Sequence, residues 1–146
     1  MHRLVLVLAA ALAAAALAAA AGADAVYHTA QVPLKPVGTA PGGGLVVNIH
    51  ANGPTVYAHE VYLLEHAAPG SYHVTLNVFA STACSGAPLA VLPTATVVTN
   101  GVGNGRADAK FTPAQADGLS GGTFGAVWTV VGPAAYQTDC SVIVLD

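Results

Sequence analysis

The chain has 146 residues, of which 54% are hydrophobic and only 8% charged, a composition that excludes a disordered or charge-solvated polymer. Its length bounds it to one domain. Four Lys and Arg against seven Asp and Glu, a net charge of -3, offer no basic field for a phosphate backbone, so nucleic acid is excluded as the expected partner.

The N-terminus reads as a secretory leader. Met1-His2-Arg3 supplies a cationic start, Leu4 to Ala21 carries no polar side chain, and Gly22-Ala23-Asp24-Ala25 places small residues around a cleavage point. Cleavage after Ala23 or after Ala25 satisfies the small-residue requirement; the first divides the chain into a signal peptide, 1–23, and a single domain, 24–146. The alternative is a retained anchor, since the apolar run approaches the roughly 20 residues needed to span a bilayer. Its alanine richness makes it a weak membrane former. No cysteine precedes Cys84, which argues against a lipid anchor, and no membrane span is expected once the leader is removed.

Beyond the leader, short apolar or alternating runs are separated by Gly, Pro, Asn and Asp, and nothing holds a helical period over ten residues. The pattern predicts eight strands: Val26 to Val32, Leu45 to Ala51, Val56 to Leu64, Tyr72 to Phe79, Leu89 to Thr99, Arg106 to Phe111, Thr123 to Val131 and Cys140 to Leu145. In the second, Leu45, Val47, Ile49 and Ala51 form the apolar face and Val46, Asn48 and His50 the other. In the sixth, Arg106, Asp108 and Lys110 share a wet face opposite Ala107, Ala109 and Phe111. Val142 to Leu145 is apolar on both sides and is predicted to lie in the middle of a sheet. Turn signals fall between the strands: Asn52-Gly53-Pro54, Pro69-Gly70, Asn100-Gly101, Asn104-Gly105 and Asp117-Gly118. Pro33 to Gly44 reads as a flexible connection. The predicted fold is all-β, an antiparallel sandwich of seven to eight strands, with a small barrel as the alternative.

Cys84 and Cys140 are the only cysteines and, in an oxidising compartment, are predicted to form one disulfide. One local stretch resembles a known family. Pro69-Gly70-Ser71-Tyr72 followed by Val74, Leu76 and Val78 is similar to the turn and tyrosine-corner strand of fibronectin type III and other immunoglobulin-like sandwiches. The resemblance covers about ten residues and implies that the Tyr72 hydroxyl bonds back to the preceding turn backbone. The chain departs from immunoglobulin domains in the placing of Trp128 and Tyr136 relative to the cysteines.

Candidate chemistry is sparse. Gly118-Leu119-Ser120-Gly121-Gly122 matches the nucleophile-elbow pattern of serine hydrolases, but that mechanism needs a strand-to-helix turn and a later histidine base, and the last histidine is His73. The two Gly-x-Gly patterns between Asn100 and Gly105 precede a strand rather than a helix, which removes a phosphate loop. His28, His50, His59, His66 and His73 are candidate metal ligands, and His50 with His73 share a site if their strands pair. No His-x-His occurs, which separates the chain from copper-zinc superoxide dismutases and chordin-type sandwich domains. Glu60, Glu65, Asp108, Asp117, Asp139 and Asp146 are too scattered to name a glycosidase pair. Trp128, or Tyr57 with Tyr62, forms a sugar-stacking platform only if exposed.

These observations predict a secreted, non-catalytic domain that binds or displays at the cell envelope or outside the cell. Its expected partner is a protein or a glycan, with no cofactor, no metal and no catalytic residue. The alternatives are a small histidine-based copper or zinc protein and a carbohydrate-binding module.

Overall fold

The computed structural model describes residues 26–52, 57–111 and 122–145. The leader, the Gly53-Pro54 and Asp117-Gly118 turns and Ser120 lie outside the described residues. Nine antiparallel strands are described: β1 Val26–Pro36, β2 Gly43–Asn52, β3 Tyr57–Glu65, β4 Ser71–Phe79, β5 Ala90–Val98, β6 Gly105–Phe111, β7 Gly122–Val131, β8 Ala135–Gln137 and β9 Ser141–Leu145. They pair in the order β5-β4-β7-β8-β1-β2-β3-β6, with β9 also on β7. The two ends of that path, β5 and β6, belong to one hairpin and meet at a Thr99–Gly105 bridge, so the sheet curls into a nearly closed barrel.

The β5–β6 turn is built by Asn100. Its side-chain oxygen accepts from the N–H groups of Val102 and Asn104, 3.1 and 3.0 Å away, which is how asparagine stabilises a tight reversal. On the opposite side, closure rests on β8, which joins β7 to β1 through Lys35–Gln137 and Pro36–Tyr136 pairing. β8 has no counterpart among the predicted strands. Three residues after Gly132-Pro133 are too few to show alternation.

Three expectations are corrected. The interior face of β2 is the one holding Val46 and Asn48, both buried, whereas Leu45, Val47 and Ile49 are only half-buried. Asn48 is drawn inward by a carboxylate on β3. β9 is not central: it pairs with β7 alone and leaves Val142 54% exposed. The two ends of the Pro33 to Gly44 stretch are strand, because β1 runs on to Pro36 and β2 starts at Gly43, which leaves only Val37 to Gly42 as the connection. Pro33 fits there because β1 has no hydrogen-bonded neighbour other than β2 at that level, so its missing N–H breaks no ladder.

The core is lined by Val32, Leu34, Val46, Tyr62, Leu64, Tyr72, Val74, Leu76, Val78, Val97, Trp128, Val130 and Tyr136. Two tyrosines tie this core to the loops. Tyr72 donates to the Ala68 carbonyl at 2.6 Å, the back-bond that the tyrosine-corner resemblance implies, and Tyr136 donates to the Pro41 carbonyl at 2.6 Å. Their rings pack 5.8 Å apart.

Cys84 and Cys140 form a disulfide with Cα atoms 5.7 Å apart, fastening the β4–β5 loop to the β8–β9 link. The loop lies close over the outer face of β7. A Cβ at Gly125 would sit 2.3 Å from the Ser81 carbonyl oxygen and 2.7 Å from Cys84 Sγ, so only glycine lets the loop approach. Across a sequence separation of 56 residues the bridge contributes about 4 kcal/mol on the chain-entropy account. Gly125→Ala is therefore expected to cost about 1–3 kcal/mol by overpacking, read as a fall of several degrees in Tm. The fall should be smaller in a Cys84→Ser/Cys140→Ser background, where the loop can lift; equal losses in both would contradict this account.

Candidate functional site

Strand alternation places one acid inside the barrel. Glu60 lies in β3 between Val61 and His59 on the outer side, in register with Asn48 of β2 and Ala109 of β6, and is only 1% exposed. Burial of a charge is costly unless it is paired and hydrogen-bonded. Three donors meet it: Asn48 Nδ2 at 2.8 Å, Trp128 Nε1 at 2.8 Å, and the Tyr62 hydroxyl. Asn48, Tyr62 and Trp128 come from β2, β3 and β7, so the carboxylate joins both sides of the barrel.

Burial pushes the Glu60 carboxyl above its ordinary range, against the opposing pull of the Tyr62, Trp128 and Asn48 hydrogen bonds. The Tyr62 hydroxyl is pushed up as well, by burial first and then by the charge of Glu60. Trp128 is held in turn by its backbone: its N–H donates to Thr138 Oγ1 at 3.1 Å, and the Thr138 N–H donates to its carbonyl at 3.0 Å. With both carboxylate oxygens occupied and the side chain enclosed, this arrangement positions strands. It offers no substrate access for general acid or base work.

The predicted ligands scatter. β2 and β4 are not neighbours, so His50 and His73 are not brought together by pairing. His73 is exposed on β4, with Thr96 Oγ1 3.4 Å from its Nδ1. His66 is exposed in the β3–β4 turn, where its backbone N–H donates to Asn104 Oδ1 at 3.0 Å. His59 Nε2 lies 3.4 Å from Asp108 Oδ1. That nitrogen is enclosed and makes no hydrogen bond of acceptable geometry. The Arg106 guanidinium holds the Asp108 carboxyl below its usual range, with His59 adding to the effect. Among the described residues no three His, Cys, Asp or Glu side chains group for a metal. β1 and β2, by contrast, set His28 and His50 directly opposite each other, a pairing that depends on register and that linear spacing could not reveal.

Trp128 and Tyr62 have no exposed area, which rules out an outward sugar-stacking platform built on either. The outer surface is aliphatic instead. Leu89 (58% exposed), Val91 (55%) and Val142 (54%) are open to solvent, as are Val98 and Val102 near the β5–β6 turn. A shallow concavity of about 370 Å³ at the far end of β3 and β6 carries Glu65 and Arg106 among its lining residues.

Scans against protein-family models, curated proteins and solved structures return no match.

The raised Glu60 pKa has a defined consequence for stability. The native state binds this proton more tightly than the unfolded chain, so stability falls as pH rises from about 4.5 through the native pKa. Replacement by Gln removes that slope. The Tm difference, wild type minus Glu60→Gln, is expected to shrink as pH climbs from 4.5 toward 8, read by thermal denaturation at constant ionic strength. Parallel Tm curves would show that Glu60 titrates alike in both states.

Proposed function

We propose that the chain is a secreted, non-catalytic domain that acts by binding or display at the cell envelope or outside the cell, through exposed aliphatic residues of its outer surface. The observation that carries this reading is the set of exposed aliphatic residues Leu89, Val91 and Val142, which follow Cys84 and Cys140 in the two segments that the bridge joins. Apolar side chains left open on a rigid scaffold favour protein contact. A disulfide agrees with an oxidising compartment, and the leader-like residues 1–23 supply the route. The enclosure of Glu60, the one deeply buried acid among the described residues, supports a scaffold role for that group. The sandwich architecture of immunoglobulin-like domains remains part of the reading through the Tyr72 corner.

The test is expression of the full chain with intact-mass analysis of the exported product, followed by co-sedimentation with envelopes of the producing cells. The expected product begins at Asp24 or Val26 and sediments with envelopes. Val91→Lys/Val142→Lys should reduce the sedimenting fraction several-fold at unchanged Tm. Full-length chain in the membrane, unchanged sedimentation of the variant, or fluorophosphonate labelling abolished by Ser120→Ala would each overturn the reading.

A further inference from the structure

We propose that the open edge of β6 is an interaction surface for a second copy of this chain, the two β6 strands pairing antiparallel about a two-fold axis at Ala109. Among the described residues β6 is paired with β3 along its length, while its other edge meets β5 in a single bridge, Thr99–Gly105. From Arg106 to Phe111 that edge therefore has no strand beside it, and its backbone donors and acceptors are open to an added strand. The inward residues agree. Ala107, Ala109 and Phe111 are only half-buried, although they pack against the core, so the apolar interior is incompletely covered along this seam.

Charge selects both the occupant and the register. The outward residues of β6 alternate in sign, Arg106, Asp108 and Lys110, and all three are exposed. Charges on an edge strand usually keep other chains away, but an alternating row is complementary to its own copy. With the axis at Ala109, Asp108 stands opposite Lys110 of the second copy, Lys110 stands opposite the copy's Asp108, and Phe111 stands opposite Ala107. Directly opposed unlike charges stabilise a pair of strands. Centring on Asp108 would oppose like charges, and centring on Ala107 would drive the pairing into the β5–β6 turn. Lys110 is also the member of the row that needs a partner. Asp108 has Arg106 at 3.1 Å and His59 at 3.4 Å, whereas Lys110 makes no ion pair among the described residues and has His59 as its cross-strand neighbour. β5, the other end of the strand path, contains Pro93 and no charged residue, so nothing in it fixes a register. Each β6 has one open edge, and pairing through it closes at two copies.

The test is sedimentation equilibrium of the exported, tag-free protein at low ionic strength, over a concentration series reaching the millimolar range. A reversible monomer–dimer equilibrium is expected. Asp108→Lys and Lys110→Glu each place like charges opposite one another and should each raise the dimer dissociation constant by about tenfold or more; circular dichroism confirms that each variant is folded. Mixed in equal amounts, the two variants regain both ion pairs, Lys at 108 against Glu at 110 and Lys110 against Asp108, and should recover the dimer. Damage to either fold would not give that recovery. Val91→Lys/Val142→Lys lies on other strands and should leave the dimer constant unchanged, which separates this surface from the envelope-binding residues. A monomer at every concentration, a dimer indifferent to both charge reversals, or a mixture that fails to associate would each overturn the β6 pairing.

Discussion

A carboxylate enclosed in an apolar barrel is stable only where every lone pair that matters has a donor, and Glu60 sets this condition for the whole fold. Removing one partner of such a buried charge typically costs about 3–5 kcal/mol. Asn48, Tyr62 and Trp128 must therefore arrive together. Their convergence sets the β2–β3 register, since a slip of one residue would turn Asn48 and Glu60 to opposite faces. It also sets the docking of β7, whose tryptophan reaches the carboxylate from the other side of the barrel. Hydrogen bonds to a charged group are individually stronger than neutral ones, and this network makes one packing arrangement better than its neighbours.

Closure follows from shorter devices placed around that hub. The Asn100 turn brings β5 onto β6, and three residues of β8 carry the sheet from β7 to β1. Thr138 clips the end of β8 to the backbone of Trp128, so the closing strand and the hub share a residue. Tyr72 and Tyr136 each spend their hydroxyl on a loop carbonyl while their rings pack together in the core. The disulfide then fastens the β4–β5 loop over Gly125. The exposed Lys35–Asp139 ion pair adds little, because solvent screens it. The result is an interior tied together from several elements, with its exposed aliphatic residues on the outer surface.

Much of this was legible in the chain. Alternation in Tyr72 to Phe79 and Arg106 to Phe111 located β4 and β6 and their wet faces, because those strands obey the simple rule of apolar in, polar out. The rule misread β2, where Leu45, Val47 and Ile49 outweigh Asn48 in hydrophobicity but lie on the outer side. A buried polar residue defeats alternation unless its partner is known, and Glu60 is twelve residues away on the next strand. Nothing local distinguishes Glu60 from Glu65, which is exposed five residues later. Val142 to Leu145 misled in the opposite direction: a run apolar on both sides signals a central strand, yet β9 shares its lane with β8 and keeps an open edge. The His28–His50 pairing is likewise a product of register, invisible until β1 and β2 are aligned.

The account stands on coupling between Glu60 and the donor from the far side of the barrel. A double-mutant cycle of Glu60→Gln and Trp128→Phe, with unfolding free energies from urea denaturation at pH 7, measures that coupling most directly. The account predicts that the two changes are strongly non-additive, with a coupling energy of about 1 kcal/mol or more, as expected for a hydrogen bond to a buried charge. A coupling near zero, with the two losses simply adding, would contradict a barrel organised around this carboxylate.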